Sequence, residues 1–278
     1  MAVIYLVRHG QAGAGMGGVG AFDDGNVERS YDGLTPLGRR QAAVVARALA
    51  TRLGRAGGGA GDGTSEGTVP TTVFCGPLHR QHDTAAAVAS ELGAGAPVTD
   101  PAWKEFDSDT VVVPWMRRHP ESARRLQRIM RDIRGSDGGS VDPALAGEAE
   151  SAVRGVLDGA LGEWVDGPGF QEFRGTVLGG LARAADAARN SRRNGADGAV
   201  VVATSAGVIA TCTAAVSGLP RQAVPALVGR VFNASVTALR VSEGAGRHGA
   251  GGAGVDLVSF NEYAHLDRPD ARDDLTVI

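Results

Sequence analysis

The sequence predicts an α/β fold: a three-layer α/β/α arrangement around a mostly parallel sheet, as one domain over residues 1–278. Three observations predict it. Uncharged, largely β-branched runs at Val3–Val7, Thr71–Cys75 and Ala199–Ala203 read as strands buried on both faces. Each is followed, after a loop or turn, by a longer stretch with apolar residues at helical spacing. Strands alternating with helices imply a sheet covered on both sides, with the site at the carboxyl ends of its strands.

The elements follow in order. Val3–Val7 ends in Arg8-His9-Gly10, and residues 11–33 are a loop rich in Gly and Asp. Thr35 is a good helix cap and Pro36 suits the first helical turn, so a helix runs from there to Leu53. Residues 54–67 form a Gly-rich surface loop. A helix over His79–Leu92 follows the second strand, and Pro97-Val98-Thr99 is a third, short strand. Residues 107–172 read as an irregular, partly helical lid insertion. Within it, Arg117–Arg134 is one basic amphipathic stretch and Ala144–Trp164 a second helix. A further helix covers Phe173–Arg193, and the third strong strand, Ala199–Ala203, leads into a helix over Gly207–Val216. Ser235–Val241 and Val255–Phe260 are strands that either pair as a hairpin or lie apart.

Composition narrows the function. Hydrophobic residues make up 43% of the chain, enough for a sizeable core. The formal charge is -3, with 28 Lys and Arg against 31 Asp and Glu, so nothing argues for a nucleic-acid or membrane partner. Residues 199–216 carry no charge and match a minimal membrane span in length, yet their hydroxyls, their glycine and their β-branched start favour strand, turn and helix. The N-terminus has no basic leader and its apolar run is too short for a signal peptide. Cys75 and Cys212 are isolated thiols, which points to a reducing, cytoplasmic setting. No cluster has metal-ligand spacing, and neither a metal nor a cofactor is expected. The oligomeric state is not legible.

The chemistry-bearing residues fall in the predicted strand-end loops. The first supplies Arg8-His9-Gly10-Gln11 and the second Pro77-Leu78-His79-Arg80, with Leu34-Thr35-Pro36-Leu37-Gly38 between them and Trp103-Lys104-Glu105-Phe106 after the short strand. Asn233-Ala234-Ser235-Val236-Thr237 and Asn261-Glu262-Tyr263-Ala264-His265 come late. In order and spacing these motifs resemble the histidine phosphatase superfamily, phosphoglycerate mutase-like, in its branch with Gln after Arg-His-Gly. The resemblance covers residues 2–106 and 173–266. It implies a phosphomonoester hydrolase that passes through a phosphohistidine on His9, with Arg8 and Arg80 clamping the phosphoryl group and Glu105 giving the leaving alcohol its proton. Its substrate would be a phosphorylated small molecule.

Physical chemistry supports those roles. A neutral imidazole attacks phosphorus and divides one hard displacement into two. Charge spread over phosphoryl oxygens calls for positioning and cationic clamping, which a planar guanidinium does best. A carboxyl group must be partly desolvated to hold a proton near neutral pH. Gly10 and Gln11 would line the phosphate pocket, although Gln11 and Thr35 have the alternative of pinning the loop and capping the helix. The resemblance also implies a phosphate-contacting Asn, a position that Asn26 would occupy.

Two positions depart from the family pattern, and one is Asp83, where the family motif more often carries Gln. The family's second histidine, in a Ser-His-Gly turn after the third strand, is replaced here by Ala206 in Thr204-Ser205-Ala206-Gly207. Losing one positioned donor typically lowers the rate by about a hundred- to a thousandfold. The expected substitutes are the Ser205 hydroxyl, backbone N–H groups at Ala206 and Gly207, or His79 or His82 reaching in. Two other functions compete: a mutase-type phosphotransferase on the same site, and an impaired pseudoenzyme that binds a phosphorylated ligand. The run Gly13-Ala14-Gly15-Met16-Gly17-Gly18 matches a dinucleotide-binding pattern formally, but it does not open directly into a helix.

Overall fold

A computed structural model describes residues 1–13, 32–54, 71–135, 142–192, 197–242, 254–267 and 274–277. The elements are β1 (Ala2–Arg8), α1 (Pro36–Arg52), β2 (Thr71–Cys75), α2 (His79–Glu91), β3 (Val98–Thr99), a 3-10 turn (Pro101–Trp103), α3 (Ser108–Arg118), α4 (Pro120–Gly135), α5 (Pro143–Trp164), α6 (Pro168–Asn190), β4 (Gly198–Thr204), α7 (Ala206–Val216), a second 3-10 turn (Arg221–Ala223), α8 (Val224–Val228), β5 (Val236–Val241) and β6 (Val255–Glu262). The sheet order is β3-β2-β4-β1-β5-β6. β1, β2, β3 and β4 run parallel; β5 is antiparallel to both neighbours. The last two strands are therefore adjacent partners, which decides the alternative that the sequence left open.

Alternation along the central strands builds the layers. Val3, Tyr5, Val7, Val201 and Ala203 pack with Val45 and Leu49 of α1, Val88 of α2 and Leu92 just past its end. Ile4, Leu6, Val200 and Val202 pack on the other face with Val177, Leu181, Ile209 and Cys212 of α6 and α7. Every residue of β1 and β4 is buried, as a strand covered on both faces requires. Residues 199–216 are accordingly a strand, a turn and a helix. Among the described residues no helix is long and apolar enough to cross a membrane.

The insertion departs from its expected irregularity. α3, α4 and α5 close around a core of their own, with Trp115, Leu126, Ile129, Ala152 and Leu161 buried together. The stretch predicted as one helix over Arg117–Arg134 is broken at His119, which takes φ -120° and ψ 66°. The next residue is Pro120, whose ring disfavours helical backbone in the residue before it. Residues 168–172, counted with the insertion in the sequence, form the first turns of α6. α7 begins one residue early, at Ala206.

Candidate active site

The parallel register brings the loops together. Arg8 pairs with Thr204 and Cys75 with Ala203, so the residues that follow β1, β4 and β2 emerge side by side. The His9 N–H donates to Thr204 O (2.9 Å) and the Gly76 N–H to Ala203 O (3.3 Å). From the other side, Asn233 Nδ2 donates to His9 O (3.1 Å) and the Ala234 N–H to Arg8 O (3.0 Å). Ala234 holds φ 56°, a left-handed conformation that a non-glycine residue keeps only where its surroundings enforce it.

His9 is 2% exposed. Its Nδ1 lies 2.7 Å from Gly10 O, an acceptor only, so Nδ1 carries the proton and Nε2 keeps the lone pair. Burial, then the positive charges of Arg80 and Arg8, hold its pKa well below the usual histidine range. The ring is therefore neutral at pH 7, as a nucleophile must be. Gly10 is needed beside it: a Cβ there would fall on the Gly38 backbone, and its N–H donates to Thr84 Oγ1 (3.2 Å).

Arg80 Nε donates to His9 Nε2 at 3.2 Å, and Arg80 Nη1 pairs with Asp32 Oδ1 at 3.3 Å. Arg8 anchors through Nη1 to Val231 O. Both arginines are almost fully buried. Two guanidinium groups and one neutral imidazole thus lie together at the strand ends.

Glu105 lies at the start of α7. Its Oε2 accepts from the Gly207 N–H (2.9 Å) and its Oε1 from the Phe106 N–H (2.9 Å). Burial raises its pKa; the two N–H bonds and the charges of Arg80 and Arg8 oppose that. A Cβ at Gly207 would collide with Glu105 Oε1 and the Phe106 ring, so glycine makes room for the carboxylate.

Among the described residues no group of three or more His, Cys, Asp or Glu is placed to hold a metal ion. Burial pushes the Cys212 thiol up to about 12 and also raises Cys75, so neither is a ready thiolate at neutral pH.

A family model of the histidine phosphatase superfamily (branch 1) matches residues 4–171. The chain belongs to the histidine phosphatase superfamily. Among solved structures, a mycobacterial glucosyl-3-phosphoglycerate phosphatase in complex with VO3 is 19% identical, with 95% of this chain and 100% of that one covered and a TM-score of 0.55. A protein titled mycobacterial hydrolase 1 is 20% identical, with 94% and 99% covered and a TM-score of 0.55. YhfR from Bacillus stearothermophilus is 16% identical, with 95% and 99% covered and a TM-score of 0.51. Likeness at these identities speaks for the histidine phosphatase fold. Among curated proteins, none matches this sequence.

In this histidine phosphatase, the expected residues divide into two groups. Arg8, His9, Gly10, Arg80 and Glu105 come together at the strand ends. Of the substitutes expected for the missing histidine, the Gly207 N–H serves Glu105, while Ser205 Oγ accepts from Gln81 Nε2 (2.8 Å) and keeps its O–H to donate. Ala206 is 7% exposed and packs with the core beneath α7. His79 and His82 are exposed on α2, on the side away from buried Arg80, Gln81 and Thr84. Gln11 and Thr35 take the loop-pinning alternative. Thr35 Oγ1 donates to Gln11 Oε1 (2.8 Å) and caps α1 by accepting from the Gly38 N–H (2.9 Å). Arg39 and Arg40 face solvent. Asn26 and residues 14–18 of the dinucleotide-like pattern lie outside the described residues.

Sequence reasoning gave no site role to Asp32, Gln41, Gln81 or the C-terminal segment, nor to Asn233, although Asn233 stands in the late motif. Gln81 Nε2 donates to Trp103 O (2.9 Å) and Ser205 Oγ, which joins three strand-end loops. Gln41 Oε1 accepts from the Gln11 N–H (2.7 Å) while its Nε2 donates to Asp274 O (2.6 Å) and Thr276 Oγ1 (3.0 Å). Thr276 Oγ1 donates in turn to Asn233 Oδ1 (2.9 Å). A signal existed for both glutamines. Each sits on the apolar stripe of its helix, where a polar residue is paired or functional. No signal pointed to residues 274–277.

Proposed function

We propose that the chain is a phosphomonoester hydrolase that passes through a phosphohistidine on His9. His9 Nε2 attacks phosphorus in line with the ester oxygen; the P–O bond breaks as the N–P bond forms. Glu105, protonated, transfers its proton to the departing alkoxide. Arg8 and Arg80 hold the phosphoryl oxygens, and Arg80 Nε moves from the His9 lone pair onto the incoming group. Glu105, now a carboxylate, takes a proton from water, which attacks phosphorus and displaces His9. Inorganic phosphate leaves, and both residues return to their starting states.

One observation carries this reading: a buried, neutral imidazole whose Nδ1–H is tied to Gly10 O, so that Nε2 faces Arg80. Family membership and the likeness to a phosphatase solved with VO3 support it. Ala206, with the Gly207 N–H committed to Glu105, favours slow turnover, and supports a phosphate-binding pseudoenzyme as the second reading. The test compares the chain with His9→Ala and Ala206→His on p-nitrophenyl phosphate. His9→Ala abolishes hydrolysis, and Ala206→His raises it about a hundredfold by restoring a donor to the phosphoryl oxygens. Equal rates for all three remove the mechanism. Saturable phosphate binding without hydrolysis or labelling of His9 selects the pseudoenzyme.

A further inference from the structure

We propose that a second ligand site, sharing no residue with the His9 pocket, lies between α6, α7 and α8 and takes a small monocarboxylate with an apolar body. The cavity there has a volume of about 260 Å3 and is lined by residues that include Phe170, Arg174, Thr211, Leu219 and Arg221. It lies on the face of α7 turned away from the sheet. Ile209 and Cys212 pack towards the strands, while Ala210 and Ala214 pack with Phe170 and Val224.

Three features define the ligand. Part of the wall is apolar: Phe170, Ala214, Ala215 and Val224 are buried, and Leu219 stands at the surface, 44% exposed. A wholly polar ion would leave them unused. The Thr211 hydroxyl is 1% exposed and has no hydrogen-bond partner. A threonine within a helix usually satisfies its hydroxyl on the carbonyl four residues back, and an unpaired buried hydroxyl is unfavourable. Thr211 lines the cavity, and rotation of its hydroxyl towards that space would let a ligand oxygen satisfy it. The third feature is charge. Arg221 Nε is answered by Asp166 Oδ1 (3.0 Å), which Gln222 Nε2 also contacts (2.8 Å). Arg174 is half-buried and has no ion-pair partner among the described residues. One unanswered guanidinium and one hydroxyl match a single carboxylate better than a phosphate dianion. The volume is just below the range of about 300–1,000 Å3 for drug-sized ligands, which limits the body to a few carbons.

The test is calorimetric titration of the full chain with sodium hexanoate. One saturable site per chain, with a dissociation constant of about 1 mM or tighter, is expected. Arg174→Gln weakens binding about tenfold, as loss of a charged hydrogen bond implies, and Thr211→Val weakens it about threefold while keeping the side-chain shape. Leu219→Asp, at an exposed position that leaves folding intact, abolishes binding by placing a negative charge at the mouth. Arg80→Gln leaves hexanoate affinity unchanged. Far-ultraviolet circular dichroism checks that each variant is folded. The proposal is overturned if hexanoate shows no saturable binding, or if Arg174→Gln or Thr211→Val binds it as tightly as the unmodified chain. It is also overturned if Arg80→Gln abolishes binding, which would put hexanoate in the His9 pocket, or if inorganic phosphate competes for the Arg174 site on equal terms.

Discussion

Replacing Asp32 with Asn tests the balance of the proposed phosphate cradle. The Asp32 carboxylate lies 3.3 Å from Arg80 Nη1, and Arg80 also holds the His9 lone pair. An incoming phosphate has to share this guanidinium with a like charge. At an effective dielectric constant near 20, the pair's Coulomb energy at this distance is about 5 kcal/mol, a ceiling. The Asp32 side chain is 20% exposed and the Arg80 side chain 6%, so water screens part of that energy, and the Asn amide oxygen still accepts a hydrogen bond. A net gain of about 1.4 kcal/mol, or tenfold tighter phosphate, is the expected outcome of Asp32→Asn. The assay is calorimetric titration with inorganic phosphate, with Arg80→Gln as the variant that loses the clamp, so the result does not depend on turnover. Unchanged or weaker phosphate binding in Asp32→Asn refutes the reasoning. It would mean that Asp32 orients Arg80 for the anion rather than competing with it.

Three further outcomes are expected. Gly207→Ala drives a methyl group into Glu105 and Phe106; it destabilises the fold by about 1–3 kcal/mol in urea and lowers the hydrolytic rate, and an unaffected variant would show that Glu105 is not held there. Gln41→Leu strands the Gln11 N–H and the Asp274 and Thr276 groups, a loss of about 2–4 kcal/mol by urea denaturation, and a loss below 1 kcal/mol would argue against the network. The third concerns pH. His9 has a depressed pKa in the folded chain, so its contribution to stability is complete above pH ~6.5 and is lost as pH falls below that, by at most about 1.4 kcal/mol per unit. His265, also depressed, adds the same sign, while the raised pKa of Glu105 works oppositely. Urea denaturation of His9→Asn at pH 7.5 and 5.5 therefore shows a smaller acid loss than the unmodified chain; an equal loss removes the claim that His9 is buried neutral.

Much of the fold was legible because its central strands bury both faces and read as unbroken apolar runs. The candidate site was legible at Arg8, His9, Arg80 and Glu105, since each ends or follows an element whose type the local pattern dictates. The insertion was less so. Its three helices pack on one another, as Trp115 and Leu161 show, and that self-contained core leaves no mark that periodicity could distinguish from a surface helix. Pro120 was a stop signal in plain view, and it divides the basic stretch as its ring geometry demands.

By itself the sequence determined the layered α/β class and the superfamily, and it singled out His9, Arg8 and Arg80 as candidates, because these readings depend on local periodicity and short motifs. Tertiary structure decided which donors are free and which are engaged. Asp32 meets Arg80 across 48 residues, Glu105 takes the Gly207 N–H across 102, and Gln41 ties the His9 loop to Thr276 across 235. Hydrogen bonds over such separations arise from packing around a shared sheet, so the chemistry of the site at positions 205–207 was set by neighbours that no local pattern identifies.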